Sequence, residues 1–170
     1  MKILIFSDSH GAPSYIRTAM AAHRDAEAAV FLGDGAADAA DVFADFPAVP
    51  HCILRGNCDS SLSLSARGLD AAEETVLDFG GLRFFCLHGH TRGAKSGCGR
   101  MLLRASELHA DAVFFGHTHI PENDWAHDPA DPSRRILFFN PGSIGMSYDH
   151  SYGVLHIVNG MISAGHGRAK

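Results

Sequence analysis

The sequence has no long hydrophobic run. Among its 170 residues the longest apolar runs span about six residues, whereas a membrane-spanning helix needs about 20. The first apolar stretch meets Asp8 and His10 before it reaches the length of a signal-peptide core. We therefore expect a soluble, cytoplasmic protein without a membrane partner.

Paired cysteines and basic clusters are also missing. No Cys-x-x-Cys pair is present, which argues against a zinc ribbon or a thioredoxin-type site and indicates reduced thiols. The four cysteines are Cys52, Cys58, Cys86 and Cys98. No basic cluster exceeds Arg134-Arg135 and the net charge is −5, so no stable nucleic-acid complex is expected. An acidic chain can still bind phosphate where metal ions supply positive charge.

Histidine, in contrast, is abundant. The chain has twelve histidines against three tyrosines and one tryptophan. Histidine is the commonest metal ligand and the usual acid or base near neutral pH. A chain of this length can bury a sufficient core without a structural metal. We therefore expect a single domain, and we expect any metal in it to be functional.

The first half of the chain alternates apolar strands with helices. Strands are predicted at Lys2 to Phe6, Ala28 to Leu32 and Val49 to Leu54. Between them, apolar spacing and helix-boundary signals predict one helix from Pro13 to about His23 and a second over Ala37 to Phe46. This βαβαβ order predicts a sheet with parallel strands.

The second half predicts hairpins and a further helix. Gly80-Gly81 and Asn159-Gly160 each separate two apolar runs, a pattern typical of hairpin turns. A helix is predicted over Arg100 to His109, followed by strands at Ala112 to Phe115 and Ile136 to Phe139. Antiparallel hairpins added to parallel strands predict mixed sheets.

Three short segments carry turn or terminus signals. Asp128 to Ser133 contains two prolines and two aspartates, which predicts a surface loop. Asn140 to Ser143 is predicted to turn beneath the loops that carry the polar motifs, with a plain turn as the alternative. Gly165 to Gly167 is predicted to be a frayed C-terminal tail.

Polar motifs follow five of the predicted strands. In chain order they are Asp8-x-His10, Gly33-Asp34, Gly56-Asn57-Cys58-Asp59, His88-Gly89-His90 and Gly116-His117-Thr118-His119. Ligands of α/β sheets bind outside the carboxyl ends of strands, so these motifs are expected to form one pocket. Each motif alone could be a turn or a core histidine, but five together favour a metal centre. Nitrogen and oxygen ligands suit Mn, Fe, Zn or Ni, and a carboxylate can bridge two ions.

Taken together, the motifs resemble those of the calcineurin-like metallophosphoesterases. The size of the chain, the Gly56-Asn57-Cys58-Asp59 form and the Asn140-Pro141-Gly142-Ser143 segment are similar to the small YfcE-like phosphodiesterase branch of that superfamily. The resemblance covers nearly the whole chain. It implies an α/β (α+β) fold of two packed mixed β-sheets flanked by helices, in one domain over residues 1–170.

The resemblance also implies a dinuclear site and a reaction. The first ion would be held by Asp8, His10 and His119, and the second by Asn57, His88 and His117, with Asp34 bridging. Manganese is the expected metal, with Fe, Zn or Ni as alternatives. The implied activity is phosphodiester hydrolysis, in which a metal-bridging hydroxide attacks phosphorus in line.

The residues that complete the reaction are less defined. In much of this superfamily the residue between Asn and Asp is a histidine thought to protonate the leaving group, and here it is Cys58. Cys58 is expected to act in catalysis or, equally, to be a small buried side chain. His90 is an alternative proton donor, and Asp59 is a further catalytic candidate. Substrate contacts are expected from Asn57, His90 and Arg92.

Two other functions remain open on the sequence. A binding scaffold of the same fold that holds no metal is one alternative, because the retromer subunit with this fold serves chiefly as a binding protein. The complete set of seven candidate ligands favours an enzyme. A phosphomonoesterase or nucleotide phosphatase is the second alternative. The expected partner is a small phosphoester substrate, and the chain could also form a homo-oligomer.

Overall fold

A computed structural model describes all 170 residues. Ten strands form two five-stranded sheets, ordered β10-β9-β1-β2-β3 and β4-β5-β6-β8-β7. The strands are β1 (Lys2–Phe6), β2 (Ala28–Phe31), β3 (His51–Ile53), β4 (Glu74–Phe79), β5 (Leu82–Leu87), β6 (Ala112–Phe114), β7 (Glu122–His127), β8 (Arg135–Asn140), β9 (Ser151–Val158) and β10 (Met161–Arg168). The helices are α1 (Pro13–Ala22), α2 (Ala36–Phe43), α3 (Ser61–Ala66) and α4 (Gly99–Glu107), and two single 3-10 turns cover His90–Arg92 and Ala94–Ser96.

Both sheets are mixed, as predicted. In the first sheet, β1 pairs in parallel with β2, and β2 pairs in parallel with β3, while the β9-β10 hairpin is antiparallel to β1. In the second sheet, β5, β6 and β8 are parallel, and β4 and β7 are the antiparallel edges. Residues Gly80-Gly81 and Asn159-Gly160 form the predicted hairpin turns.

The core has three apolar layers. Alternate side chains of the two sheets, such as Ile5, Val30, Phe114 and Phe139, meet between the sheets and are fully buried. The opposite face of the first sheet packs against α1 and α2, and that of the second sheet packs against α4. Strands covered on both faces read as continuous apolar runs, which explains why the sequence identifies them so readily.

The predicted helices are confirmed, with small changes at their ends. Helix α1 begins at Pro13 and buries Ile16, Ala19 and Met20, and α4 starts one residue before the predicted Arg100. Helix α3 was not predicted, because its six residues are too few to show a helical period; its one signal is Ser60, whose side chain accepts the Ser63 N–H. None of these helices has the length and apolarity needed to cross a membrane.

Two predictions about irregular segments are corrected. The predicted tail at Gly165 to Gly167 is part of β10, which pairs with β9 as far as Arg168. The His166 ring stacks on Phe139 with centroids 4.7 Å apart, and its Nε2 lies 2.7 Å from the Asn140 carbonyl oxygen. Within the predicted surface loop, Asp128 is buried and accepts hydrogen bonds from Ser106 and Arg134.

Strand β7 was not predicted at all. Its residues are mostly polar and exposed, so they show no apolar alternation. It is an edge strand that pairs with β8, and the side-chain amide of Asn123 donates to the Ala164 carbonyl of β10 at 2.8 Å. This contact joins the edges of the two sheets.

The contacts of His166 predict a measurable contribution to stability. His166→Ala removes the stack on Phe139 and the hydrogen bond to Asn140, and we expect it to lower the free energy of unfolding by about 1 kcal/mol. His156→Ala on β9 is the matched control, because the side chain of that exposed histidine makes no hydrogen bond. Urea unfolding measures both. Equal stability of the two variants would contradict a role for His166 in fixing the C-terminal strand.

Candidate metal centre

The five predicted motifs converge at one edge of the molecule. They follow β1, β2, β3, β5 and β6, whose carboxyl ends lie together because the strands are parallel within each sheet. Three groups of side chains bring their ligating atoms within 4.8 Å of one another. The groups are Asp8, His10 and His119; Asp34, His88 and His117; and His10, Asp34 and Cys58.

The first group joins the two sheets through Asp8. His119 Nε2 lies 3.1 Å from Asp8 Oδ1, and His10 Nε2 lies 3.7 Å from the same oxygen. The other oxygen, Oδ2, accepts the His117 backbone N–H at 3.1 Å. The Asp8 carboxylate raises the pKa of His119 above its ordinary value, because it stabilises the protonated imidazole.

The second group has a defined histidine tautomer. His88 Nδ1 lies 3.0 Å from the Leu32 carbonyl oxygen, which can only accept, so Nδ1 carries a proton and, in the neutral ring, Nε2 presents its lone pair. That Nε2 lies 3.4 Å from Asp34 Oδ2. Burial lowers the pKa of His88, but Asp34 and Asp8 outweigh it and the net shift is upward. Burial and the neighbouring His88 lower the pKa of His117.

Two atoms at the junction of the groups fit a metal ion. His88 Nε2 is buried without a hydrogen-bond partner, and Asp8 Oδ1 has no well-aligned hydrogen bond although His119 Nε2 is near. Both side chains are fully buried. A buried lone pair without a partner costs free energy, and a cation between an imidazole and two carboxylates would satisfy it. The donor set is therefore suited to a divalent metal.

Backbone strain is concentrated in the same residues. Of the eight non-glycine residues with positive φ, five belong to these groups. They are Asp8 (57°), His10 (44°), Asp34 (58°), His117 (65°) and His119 (62°). Left-handed backbone is unfavourable for residues with a side chain, although Asp and His adopt it more often than most, and strained residues of this kind cluster at active sites. The strain is further support for a site at this edge.

Asp59 holds two of the loops together. Its Oδ2 accepts the Asp34 and Gly56 N–H groups at 2.8 Å, and its Oδ1 accepts those of Gly35 and Ala36 at 2.9 Å. Both oxygens are thus engaged by backbone N–H groups, which favours a role for Asp59 in positioning Asp34. A catalytic role for Asp59 stays a prediction.

Glycine is required where these loops touch. A Cβ added to Gly56 would lie 2.1 Å from Asp34 Oδ1, and one added to Gly116 would lie 1.9 Å from Ser7 Oγ. Both distances are far inside van der Waals contact. Larger residues at either position would displace the side chains that form the two groups.

Residues 140–143 pack beneath the motif loops, as predicted. The Asn140 side-chain amide donates to the Gly116 carbonyl and to Thr118 Oγ1, both at 3.0 Å. The Ser143 hydroxyl donates to the Asp8 carbonyl at 2.8 Å. Asn140 and Ser143 are fully buried, so they hold the loops on both sides of the site.

Asn57 and Cys58 lie on the exposed rim of the site. The Asn57 side-chain amide donates to Cys58 Sγ at 3.3 Å, and its Oδ1 makes no hydrogen bond. The Cys58 N–H donates to Asp34 Oδ1 at 2.7 Å. The alternative that Cys58 is a buried core side chain is wrong, because the residue is exposed. The Asp34 carboxylate raises the pKa of the Cys58 thiol, because it can accept a hydrogen bond from the S–H group and because its charge opposes a second negative charge.

The remaining predicted residues contact two glutamates that sequence reasoning missed. His90 Nε2 lies 4.0 Å from Glu73 Oε1, and Arg55 forms an ion pair with the same oxygen at 2.9 Å. Arg92 makes two hydrogen bonds to Glu74, at 2.9 and 2.7 Å. A substrate contact by Arg92 stays a prediction that requires this ion pair to open. The two glutamates lie at the start of β4, which spans Glu74–Phe79. No motif in the neighbouring sequence distinguishes them from other charged residues at a strand end.

Two mixed sheets whose strand ends bring Asp and His side chains together at one edge form the fold of a metal-dependent phosphoesterase. A family model, described as the calcineurin-like phosphoesterase superfamily domain, matches residues 1–160. The chain is 30% identical over 164 residues to the probable metallophosphoesterase YsnB of Bacillus subtilis, covering 94% of this chain and 86% of the relative. The chain belongs to the calcineurin-like phosphoesterase superfamily.

Solved structures share the fold. A predicted phosphoesterase from Streptococcus pneumoniae TIGR4 superposes with a TM-score of 0.78 and 20% identity, covering 99% of this chain and 89% of that one. Yfce, a phosphoesterase from E. coli, superposes with a TM-score of 0.68 and 24% identity over 100% of both chains. The predicted fold class of two packed mixed sheets with flanking helices is confirmed.

The four backbone hydrogen bonds of Asp59 lead to a stability prediction. In Asp59→Asn the amide NH2 cannot accept, so two buried N–H groups lose their partner and the free energy of unfolding falls by about 2 kcal/mol or more. Urea unfolding measures the change. Asp70→Asn is the control, because Asp70 is exposed and makes no hydrogen bond or ion pair; its effect is expected within about 0.5 kcal/mol. Equal effects would contradict the positioning role of Asp59.

Proposed function

We propose that the chain is a dinuclear metal-dependent phosphodiesterase. The observation that carries this proposal is the placement of Asp34 between the two groups. Its Oδ2 lies 3.9 Å from His10 Nε2 and 3.4 Å from His88 Nε2. One carboxylate oxygen within reach of an imidazole on each side is the arrangement of a bridging ligand in a two-metal site.

The proposed ligand assignment follows the two groups. One ion would be held by Asp8, His10 and His119, the other by Asn57, His88 and His117, with Asp34 shared. Asn57 enters through its Oδ1, which makes no hydrogen bond to protein. When bound, two divalent ions lower the pKa of a shared water and neutralise charge on the phosphoryl oxygens. Manganese is the proposed metal, with Fe, Zn and Ni as alternatives of the same donor preference.

The other residues of the chain hold these ligands in place. The Leu32 carbonyl fixes the His88 tautomer and ring orientation, a common support for metal-binding imidazoles. Asp59 fixes the backbone of Asp34. His90, whose ring centroid is 5.4 Å from that of His88, is proposed to contact the substrate. Burial and the neighbouring His88 lower the pKa of His90, so its neutral form would offer one donor and one acceptor.

A diester suits the charges beside the site better than a monoester. The two arginines nearest the motifs are both neutralised, Arg55 by Glu73 at 2.9 Å and Arg92 by Glu74 at 2.7 Å. A phosphomonoester carries nearly two negative charges at neutral pH, whereas a diester carries one. Lys95, in contrast, has no ion-pair partner, and its charge opposes protonation of His117 and His119, which acts to lower their pKa values. One such cation suits the single charge of a diester, which we favour over a monoester or nucleotide.

The main alternative function is a binding scaffold that uses this fold without metal. Such a protein would not require ligating side chains at all seven positions. Here six of the seven lie in groups with ligand-like spacing, and the seventh, Asn57, lies on the rim beside Cys58. The complete set therefore favours the enzyme.

Metal removal and return provide the direct test. Purified protein treated with EDTA is expected to hydrolyse a nitrophenyl phosphodiester only after Mn²⁺ is added, because the proposed reaction uses a water that the metal ions would activate. The matching phosphomonoester, assayed in parallel, is expected to react more slowly. Absence of both bound metal and stimulated hydrolysis would support the scaffold, and faster monoester hydrolysis would overturn the diester preference.

The shared position of Asp34 predicts how substitutions affect each ion. Asp34→Asn is expected to weaken both sites together, whereas His119→Gln is expected to weaken mainly one. Equilibrium dialysis against Mn²⁺, with metal analysis of the retained protein, gives the number of ions bound. His156→Gln, at an exposed position on β9, is the control. Equal loss of both ions in the His119 variant would contradict the assignment.

A further inference from the structure

The thiol of Cys58 points toward the same junction as two of the proposed ligands. Its Sγ, a ring nitrogen of His10 and a carboxylate oxygen of Asp34 all lie within 4.8 Å of one another. The backbone holds it there, because the Cys58 N–H donates to Asp34 Oδ1 at 2.7 Å. The Asn57 amide, which donates to Sγ at 3.3 Å, orients the side chain further.

Two buried atoms near this junction would be stabilised by a cation, whether or not the cysteine binds it. Asp8 Oδ1 is fully buried without a well-aligned hydrogen bond and lies 3.7 Å from His10 Nε2. His88 Nε2, also buried and without a hydrogen-bond partner, lies 3.4 Å from Asp34 Oδ2. Both unpartnered lone pairs thus lie next to the two residues that Cys58 approaches. A cation bound by His10 and Asp34 would lie beside these lone pairs and, because the ligating atoms of His10, Asp34 and Cys58 are within 4.8 Å of one another, close to the sulfur as well.

We propose that Cys58 Sγ is an additional ligand of the ion held by His10 and Asp34, which makes that site a mixed nitrogen, oxygen and sulfur site. As the sulfur–metal bond forms, the S–H bond breaks and the proton passes to solvent. Thiolate is a soft ligand that selects Zn²⁺ over Mn²⁺. The two metal sites would then differ in preference, since sulfur is available to only one of them. This inference rests on the metal sites of the proposed function.

Cobalt substitution tests the inference without measuring activity. The EDTA-treated full chain is loaded with Co²⁺, and its absorption spectrum is recorded. We expect visible bands from bound Co²⁺ and, in addition, a near-ultraviolet sulfur-to-cobalt charge-transfer band. Cys58→Ser is expected to keep the visible bands and lose the charge-transfer band. Cys98→Ser is the matched control, because Cys98 is the other exposed cysteine, and it is expected to keep both.

The outcomes separate this inference from the proposed function. Visible bands without a charge-transfer band, or a band that persists in Cys58→Ser, would overturn the role of Cys58 and leave the metal sites intact. Failure to bind Co²⁺ at all would overturn the metal sites and, with them, this inference. Titration gives a second readout: Cys58→Ser is expected to lower Zn²⁺ affinity about tenfold or more and to change Mn²⁺ affinity much less.

Alkylation of the unmodified chain removes any dependence on how a variant folds. Iodoacetamide labelling of each cysteine is followed by peptide mass analysis with and without Zn²⁺. Bound Zn²⁺ is expected to protect Cys58 and to leave the labelling of Cys98 unchanged. Equal labelling of Cys58 with and without Zn²⁺ would overturn the proposed sulfur–metal bond.

Discussion

The site depends on the carboxylate of Asp59 and its contacts with two loops. Four backbone N–H groups, from Asp34, Gly35, Ala36 and Gly56, donate to it. These donors belong to the segments that follow β2 and β3, so one side chain fixes both loops relative to each other. Hydrogen bonds to a charged acceptor are among the stronger ones in proteins. The position of Asp34, and with it the meeting of the two ligand groups, follows from this contact.

The centre concentrates features that are individually unfavourable. Asp8 and Asp34 are buried carboxylates, and left-handed backbone occurs at both. The pKa of Asp34 is nevertheless lowered, because His88 and the Cys58 N–H outweigh the effect of burial. The rest of the fold tolerates this cost through a core of apolar side chains on both faces of each sheet. A bound cation would offset much of the remaining cost, so metal binding and folding stability are expected to be coupled.

The second sheet contributes ligands and also the support beneath them. Asn140 at the end of β8 holds the loop of His117 and His119 through Gly116 and Thr118. Asn123 and His166 then connect the edge and end of this sheet to β10 of the first sheet. The C-terminal strand is therefore part of the frame that keeps the two halves of the site in register. This explains why a segment rich in glycine is ordered in this fold.

The sequence by itself determined most of the framework. Apolar runs bounded by glycine and polar residues identify nine of the ten strands, and the ligand motifs stand at strand ends, where the periodicity breaks. These signals are local, so they can be read from neighbouring residues. Strand β7 and helix α3 were not predicted, the first because its residues are mostly polar and the second because it has only six residues.

Only the tertiary structure decided the roles of side chains that meet across long stretches of chain. In the folded chain the Asp59 carboxylate accepts backbone N–H groups, and Arg92 forms an ion pair with Glu74. Cys58 is exposed beside His10, and the His166 ring stacks on Phe139. The sequence lists the same residue types but does not specify which of them are partners. Their partners are set by how the sheets pack, because a charge or a ring interacts with whatever the fold brings near it.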